Sequence, residues 1–403
     1  MQPLILVTSV VLFVTYAALI IYYANSWRSI PGFFPKPQTS NLKLQTSNLK
    51  LSIIIPARNE EKNIKACLDS ICYQSYPKDL YEVLVVDDYS TDATAEIIKN
   101  YPEKNVQLIS LQQILKEEKL NSYKKKAIET AIAQSTGELI ITTDADCIVP
   151  AGWLQTIASF YAENDAALIA MPVCFLPSPQ GERLGVRFLE IFQALDFMAL
   201  QGITGASVHK RIHSMCNGAN LAYSKKVFEE VNGFKGIDNI ASGDDMLLMH
   251  KIYQQNPGKV FFLKSQEVIV QTQSMKTIKD FFNQRIRWAS KADKYDDKRI
   301  FAVLLLVYLF NVLLTVLPLL CIFRNIQYSI FNIQFSLCSF WICLLIGKTI
   351  IELFFLYPVA KFFSKQNLLF YFPFAQPFHI LYTIIAGWLG KFGSYQWKNR
   401  KVK

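Results

Sequence analysis

Two kinds of hydrophobic pattern divide the chain. Apolar residues run without a charge from Pro3 to Tyr23 and from Ile300 to Phe323, and each run is long enough to cross a hydrocarbon core about 30 Å thick. Between them, from Leu51, short apolar segments alternate with segments of helical periodicity. This alternation predicts βαβ units, and therefore an α/β domain with a mostly parallel, Rossmann-like sheet that is flanked by membrane helices.

Two further apolar stretches, Phe335 to Ala360 and Leu368 to Leu389, follow the second span. Lys348 and Glu352 interrupt the third stretch four residues apart, so they share one helical face, where they either pair between helices or line a polar path. Two prolines interrupt the fourth stretch. We expect that segment to be re-entrant or interfacial, because a fourth crossing would leave the basic tail outside, against the positive-inside tendency.

The charges after the first apolar run predict its orientation. Arg28, Lys36, Lys43 and Lys50 follow it, with no acidic residue before Glu60. The positive-inside tendency then places the central domain in the cytoplasm and the amino terminus outside, in a multi-pass protein of the inner cell membrane. A cleaved signal peptide is the alternative, but no Lys or Arg precedes the run and no clear small-x-small cleavage site follows it.

The composition agrees with a membrane protein. Of the 403 residues, 51% are hydrophobic and only 18% charged, and the net charge of +10 comes largely from residues flanking the apolar runs. Such a distribution suits an anionic lipid surface, and we expect the lipid bilayer as a partner and no nucleic acid. The eight cysteines show no C-x-x-C pair and no histidine at zinc spacing, which argues against a zinc cluster or a disulfide framework.

These patterns divide the chain into segments. A heptapeptide, QTSNLKL, occurs twice in tandem at 38–44 and 45–51, as a duplicated linker. The predicted segments are an anchor (1–25), the linker (26–50), a first half of the central domain (51–150), a second half (151–298), a membrane region of two or three spans (299–392) and a basic tail (393–403).

Acidic motifs follow three of the central apolar segments. Asp144 and Asp146 follow the strand pattern ELIITT; on an extended chain alternate side chains share a face, so the two carboxylates are expected side by side. Two hard oxygen ligands at a strand end suit Mg²⁺ or Mn²⁺ and leave positions for phosphate oxygens. The alternative is an ordinary solvated turn, but the preceding strand and the other motifs favour a metal site.

The other two acidic pairs precede helices. Asp87 and Asp88 end the strand pattern EVLVV; one can cap the next helix, and the other is then available to a base or ribose. Asp244 and Asp245 follow Gly243 and open a helix, where a capping role competes with that of a general base for an acceptor hydroxyl. All three pairs are expected at one edge of the sheet, where ligands of α/β folds gather.

Basic and aromatic residues complete the candidate site. Gln284, Arg285, Arg287 and Trp288 combine amide donors, planar guanidinium groups that suit phosphate, and a flat ring that suits a sugar; the alternative is an interfacial anchor beside the next span. Lys124 begins a run of three lysines at a predicted helix start, where one side chain can reach a diphosphate or simply face solvent.

Taken together, the motifs resemble the membrane-bound family 2 glycosyltransferases, which include cellulose, chitin, hyaluronan and poly-N-acetylglucosamine synthases and ceramide glucosyltransferase. The resemblance covers about Leu51 to Trp288 and rests on the motifs IIIPARNEE, Asp87-Asp88, Asp144-x-Asp146, GANLAYSKKVFEEVNGF, Asp245 and Q-x-x-R-W. It implies a GT-A fold that transfers sugar from a nucleotide, most often UDP, with inversion in a single displacement.

The resemblance also implies roles for these residues. The nucleotide-sugar side would contain Pro56, Arg58, Glu60, Asp87, Asp88, Lys124, Asp144 and Asp146, the last two as metal ligands. Asp245 would be the base, with Asp244 as its competitor because the motif reads SGDD. Gln284, Arg285, Arg287 and Trp288 would face the diphosphate and the acceptor.

The acceptor class stays open at this point. Q-x-x-R-W favours a polysaccharide, whereas the short membrane region favours a lipid unless oligomers or synthase partner subunits complete a channel. A catalytically inactive scaffold that binds nucleotide sugar within a synthesis complex is the alternative function, although every acidic motif position is intact. A transporter would not explain the central domain.

Overall fold

The computed structural model describes residues 2–35, 48–115, 122–176, 184–212, 215–240, 243–290, 297–323, 327–330, 333–393, 395–397 and 400–402. Most of the duplicated QTSNLKL segment therefore lies outside the described residues. Within them the chain forms two compact units. The first, here called the membrane unit, comprises Met1–Ser29, Pro177–Ala206 and Ser274–Lys403, and the second, the sheet unit, comprises Ile30–Leu176 and Ser207–Gln273.

The elements are numbered along the chain. The helices are α1 (Gln2–Ser29), α2 (Ile64–Cys72), α3 (Thr94–Lys99), α4 (Leu111–Leu115), α5 (Tyr123–Gln134), α6 (Trp153–Asn164), α7 (Leu184–Lys210), α8 (Lys225–Glu230), α9 (Met246–Gln255), α10 (Ile278–Ala289), α11 (Lys298–Phe323), α12 (Leu337–Phe362) and α13 (Phe372–Phe392). The strands are β1 (Leu51–Ala57), β2 (Tyr81–Asp87), β3 (Val106–Ser110), β4 (Leu139–Thr142), β5 (Leu168–Ala170), β6 (Val173–Phe175), β7 (Leu221–Ser224), β8 (Val260–Phe262), β9 (Val270–Thr272), β10 (Gln327–Ile330), β11 (Ile333–Ser336), β12 (Tyr395–Trp397) and β13 (Arg400–Val402).

A seven-stranded sheet forms the centre of the sheet unit, with the order β3-β2-β1-β4-β7-β5-β8. The pairs β1–β2, β2–β3, β1–β4 and β5–β8 are parallel, whereas β7 runs antiparallel to both of its neighbours. The predicted α/β fold with a mostly parallel sheet is confirmed. Strand β1 is buried along almost its whole length, as expected of a central strand with both faces covered.

The reversed strand β7 brings a loop to the functional edge of the sheet. Leu221, its first residue, pairs with Thr142, the last residue of β4. Ala57 and Asp87, at the ends of β1 and β2, are also paired. The carboxyl ends of β1, β2 and β4 therefore share one edge with the loop that precedes β7.

Asn220, in that loop, forms side-chain hydrogen bonds to three other segments of the sheet unit. Its side chain is completely buried. The amide nitrogen donates to the carbonyl oxygens of Pro172 and Val268 at 2.8 and 2.7 Å, and the amide oxygen accepts from the Trp153 indole at 3.0 Å. All three groups are buried, so no water can replace the amide without rearrangement.

Four helices of the membrane unit are long and apolar enough to cross a bilayer. They cover Leu4–Ser29, Lys298–Ile322, Leu337–Phe362 and Gln366–Phe392, the last of these beginning with a 3₁₀ turn. The prolines of α13 do not break it: Pro373 lies in the first turn and Pro377 inside one continuous helix. A re-entrant path for this segment stays a prediction.

Lys348 and Glu352 pair inside the membrane unit. Lys348 is fully buried and donates to both Glu352 oxygens at 2.8 and 2.9 Å and to the Gln376 side chain at 2.7 Å. Tyr16 donates to the same carboxylate. The contacts join α1, α12 and α13, so of the two interpretations offered by the sequence, the buried pair between helices is the observed one.

We predict that Asn220→Ala lowers the free energy of unfolding by about 3 kcal/mol, because it leaves an indole N–H and two carbonyl oxygens buried without a partner. Urea unfolding in detergent, followed by tryptophan fluorescence, measures the change. Asn100→Ala, at an exposed helix end, is the matched control and should cost about 0.5 kcal/mol or less. Equal losses in the two variants would contradict this role of Asn220.

Candidate functional site

The Asp144–Asp146 motif forms a turn beyond the end of β4. The Cys147 N–H donates to the Asp144 carbonyl oxygen at 3.1 Å, which closes the turn around Ala145 and Asp146. The expectation of an extended chain here is therefore wrong. The turn leaves both carboxylates half-buried, and Asp146 accepts a hydrogen bond from the Thr272 hydroxyl at 3.2 Å.

Lys124 forms ion pairs with carboxylates from two of the acidic motifs. Its Nζ lies 2.8 Å from Asp144 Oδ1 and 3.2 Å from Asp244 Oδ2. Burial alone would lower the pKa of Lys124, but the charges of Asp144, Asp244 and Asp245 outweigh it and raise that pKa well above its ordinary value. The lysine is therefore a permanent cation in an acidic cluster, and the interpretation of its side chain as a merely solvated one is wrong.

The neighbouring Lys125 has a different function. It is buried, and its ammonium donates to the carbonyl oxygens of Ile237 and Ile240 at 2.6 and 2.7 Å. These carbonyls belong to the segment that leads to Asp244. The first turn of α5 thus contacts the acidic cluster through Lys124 and the segment before Asp244 through Lys125.

Asp245 is oriented by backbone donors. Its side chain accepts from the Met246 N–H at 2.7 Å, which caps α9, and from the Gly218 N–H at 3.1 Å. Gly218 is close-packed: a Cβ atom there would lie 3.2 Å from Asp244 and 3.5 Å from both Asp245 and Lys124. Sequence reasoning missed Gly218 as a site residue, although the NGAN motif that contains it was part of the resemblance.

Asp87 and Asp88, at the end of β2, are nearly buried. Asp87 accepts from the Ser90 N–H at 3.2 Å, and Asp92, not Asp87 or Asp88, accepts from Thr94 at the start of α3. The helix-capping alternative for these two residues is therefore wrong. Arg58 donates to the Asp88 carbonyl oxygen at 2.7 Å and lies 3.7 Å from its carboxylate.

The PARNE segment at the end of β1 forms hydrogen bonds with the loop that follows β2. Asn59, which has a left-handed backbone (φ 53°), donates from its N–H to the Ser90 hydroxyl and accepts from the Thr91 N–H. Glu60 donates from its backbone to Thr94, and its carboxylate accepts from Asn63 at 2.8 Å. Pro56 is the sixth residue of β1, so the whole predicted donor-side set, from Pro56 to Asp146, lies in the sheet unit.

The four residues of the Q-x-x-R-W motif lie on α10, in the membrane unit. Thr277 caps this helix by accepting from the Asp280 N–H at 3.1 Å. Gln284, Arg287 and Trp288 are half-buried, whereas Arg285 is buried and forms an ion pair with Asp196 at 2.5 Å. No sequence motif indicates a role for Asp196, which lies on α7.

The donor set around Asp144 fits a hard divalent cation. Asp144 and Asp146 offer carboxylate oxygens two residues apart on a turn. Among the described residues no three His, Cys, Asp or Glu side chains form a ready ligand set. Two carboxylates would leave most of the shell of Mg²⁺ or Mn²⁺ to water or to the phosphates of a nucleotide. Burial and the two aspartates raise the pKa of the adjacent Cys67 thiol, which keeps it a neutral neighbour.

Part of the chain is similar to known proteins. The family described as "Glycosyl transferase family 2" matches residues 52–231. Glycosyltransferase AglE of Haloferax volcanii is 31% identical over 196 residues, 49% of this chain and 59% of the relative. The poly(ribitol-phosphate) beta-N-acetylglucosaminyltransferase TarS of Staphylococcus aureus is 35% identical over 126 residues, 30% of this chain and 21% of the relative. The chain thus spans less than two thirds of each.

A solved structure shares the fold. Mannosyltransferase PcManGT from Pyrobaculum calidifontis, determined with GDP-Man and Mn²⁺, aligns with a TM-score of 0.58 over 94% of this chain and 99% of its own, at 18% identity. At that identity the likeness concerns the fold alone. The protein therefore has a mixed α/β, Rossmann-like GT-A fold, and residues 52–231 of it match the glycosyl transferase family 2.

Proposed function

We propose that the protein is an inverting, metal-dependent glycosyltransferase that moves a sugar from a UDP-sugar to a lipid or polysaccharide acceptor at the cytoplasmic face of the membrane. The observation that carries the proposal is the cluster of Lys124, Asp144, Asp244 and Asp245 in a chain whose residues 52–231 match the glycosyl transferase family 2. A cation among carboxylates at strand ends suits a ligand that brings both phosphate and a divalent ion.

Asp245 is the proposed general base. Two backbone N–H groups fix its carboxylate, while Asp244 is engaged with Lys124, which favours Asp245 over its neighbour. In the proposed step the acceptor oxygen attacks the anomeric carbon as its proton passes to Asp245. The bond to the UDP oxygen breaks on the opposite face, and its electron pair leaves with UDP, so the configuration inverts.

The donor side is proposed from the remaining sheet-unit residues. Asp87 and Asp88 would contact the uracil or ribose, with Pro56, Arg58 and Glu60 shaping the loop beside them. Lys124 would reach the diphosphate, and Asp144 and Asp146 would hold Mg²⁺ or Mn²⁺. When bound, such an ion neutralises charge that develops on the departing phosphate.

The acceptor class is proposed from two features. The four apolar helices favour an acceptor at the bilayer. TarS acts, by its name, on a poly(ribitol-phosphate) polymer, which supports a polysaccharide-type acceptor as the other class. Incubation of membranes with radiolabelled UDP-sugars, followed by separation of organic-soluble from high-molecular-mass products, distinguishes the two; one or two sugars on lipid would exclude the polymer.

Asp245→Asn should lower transfer by at least about 10³-fold, because the amide cannot accept the proton, while UDP and Mn²⁺ still stabilise the protein against thermal unfolding. Asp244→Asn is the matched control and should lose less activity. An Asp245→Asn enzyme that turns over at the native rate would remove Asp245 from the mechanism. Nucleotide binding without transfer in the native protein would favour an inactive scaffold.

Lys124→Met should increase the thermal stabilisation by Mn²⁺ alone and decrease that by UDP, because it removes the cation of the acidic cluster and the group expected at the diphosphate. Since the pKa of Lys124 is raised, its ion pairs stabilise the fold while the aspartates are ionised and the pH is below the unfolded lysine pKa of about 10.4. They are lost as the pH rises through the folded pKa of Lys124. The difference in melting temperature from the native protein should therefore be constant between about pH 6 and 9.

Lys126→Met, which removes only a half-exposed pair with Glu129, is the control for Lys124→Met and should leave both ligand responses unchanged. Identical responses of the two variants to Mn²⁺ and UDP would place Lys124 outside the donor site. A difference in melting temperature that disappears as the pH falls from 9 to 6 would contradict the direction of its pKa shift.

A further inference from the structure

We propose that Arg285 is a positioning residue that holds Gln284 and Trp288 of the Q-x-x-R-W motif, and that Asp196 and Tyr382 hold Arg285. This inference rests on the proposed function, because it concerns how acceptor-facing residues of that reaction are placed. It gives Arg285 a different role from the contact with diphosphate or acceptor expected from the sequence.

Arg285 touches both of the residues that it is proposed to position. Its Nη1 donates to Gln284 Oε1 at 2.8 Å, and its guanidinium carbon lies 4.3 Å from the centre of the Trp288 ring. A guanidinium has only donors, so the Gln284 atom facing it must be the oxygen. The amide NH₂ is therefore directed away from Arg285, as a donor for a phosphate or sugar oxygen.

A buried carboxylate fixes the guanidinium in turn. Asp196, on α7, accepts from Arg285 through Oδ2 at 2.5 Å and from the Tyr382 hydroxyl through Oδ1. The side chains of both charged residues are only 4% exposed. With both carboxylate oxygens bonded and little water near, Arg285 has one strongly preferred position. Since Tyr382 lies on α13, the chain of contacts begins in a candidate membrane span.

Apolar packing supports the same alignment of α7, α10 and α13. Phe192 meets the rings of Phe281 and Tyr382 edge-on, each at 5.6 Å. Phe197 packs against Trp288 at 6.2 Å.

Polar contacts fix the segment before α10. The buried Gln193 both donates to and accepts from the Met275 backbone, each at 2.9 Å. The contacts made by residues 192, 193, 196 and 197 all come from one face of α7. Through them α7 positions both the segment before α10 and the Q-x-x-R-W motif on α10.

A lysine cannot reproduce these contacts. It would keep the positive charge opposite Asp196, but a single ammonium has neither a planar face for the Trp288 ring nor a second fork for Gln284. Arg285→Lys therefore separates the two roles: a residue needed only to neutralise Asp196 tolerates lysine, and a positioning residue does not.

The test uses the full-length protein in detergent. For Arg285→Lys we expect a melting temperature close to native, an unchanged stabilisation by UDP with Mn²⁺, and a kcat for transfer reduced about 10–100-fold, as is usual when a reacting group is misplaced by about 1 Å. Tyr382→Phe, which removes one hydroxyl, should show a smaller loss. Arg187→Lys, at an exposed position on α7, is the matched control and should be native in every respect.

A second measurement does not need activity. With 5-fluorotryptophan, the ¹⁹F resonance of Trp288, assigned by its loss in Trp288→Phe, should shift in Arg285→Lys and in Asp196→Asn and stay in place in Arg187→Lys. Transfer at the native rate together with an unshifted Trp288 resonance, in both Arg285→Lys and Asp196→Asn, would overturn the positioning role. Loss of the thermal stabilisation by UDP in Arg285→Lys would also overturn it, in favour of donor binding. A native protein that transfers no sugar, but whose resonance shifts as described, would fail the proposed function and leave the positioning role standing.

Discussion

The acidic cluster of the sheet unit depends on one ammonium group. Asp144 and Asp244, which come from different motifs, both lie within ion-pair distance of Lys124, and Asp245 adds a third negative charge to its surroundings. Like charges this close repel strongly unless a cation lies among them. The fold brings them together because β1, β2 and β4 end at one edge and β7 begins there. A bound metal ion would add positive charge where the protein already needs it.

The membrane unit uses charge differently. Arg285 and Asp196 are paired and buried, so their charges are not offered to a ligand in solution. Such a pair contributes little to stability compared with an apolar pair of similar volume, but it strongly favours one arrangement of its helices. For the proposed transfer, a fixed arrangement of the helix that carries Gln284 and Trp288 matters more than added stability, because reacting groups must be held in place.

Much of the fold could be predicted from the sequence, because hydrophobic periodicity and turn chemistry are local. Strands β2 and β4 and the start of helix α5 lie where the pattern placed them. The turn at Ala145 and Asp146 was missed, because an acidic tripeptide after a strand is compatible with an extended chain as well as with a turn.

Contacts between residues distant in the sequence could not be predicted. Lys124 and Lys125 read as one charged run, but their partners lie far away in the sequence. Asp196 could not be found at all: 89 residues separate it from Arg285, and nothing near it in the sequence indicates that distant partner. The site assignments themselves stay predictions for experiment.

The buried cluster of Tyr16, Lys348, Glu352 and Gln376 has a consequence for biogenesis. Its members lie on α1, α12 and α13, and α1 is far from the other two along the chain. Lys348 and Glu352 lie one turn apart on α12, so they can leave the translocon already neutralised by each other. Their remaining hydrogen bonds need α1, which is made before α12, and α13, which is made after it. The polar cluster is therefore complete only once α13 has been made, and a chain truncated before Gln376 would leave the buried Lys348 with one of its acceptors missing.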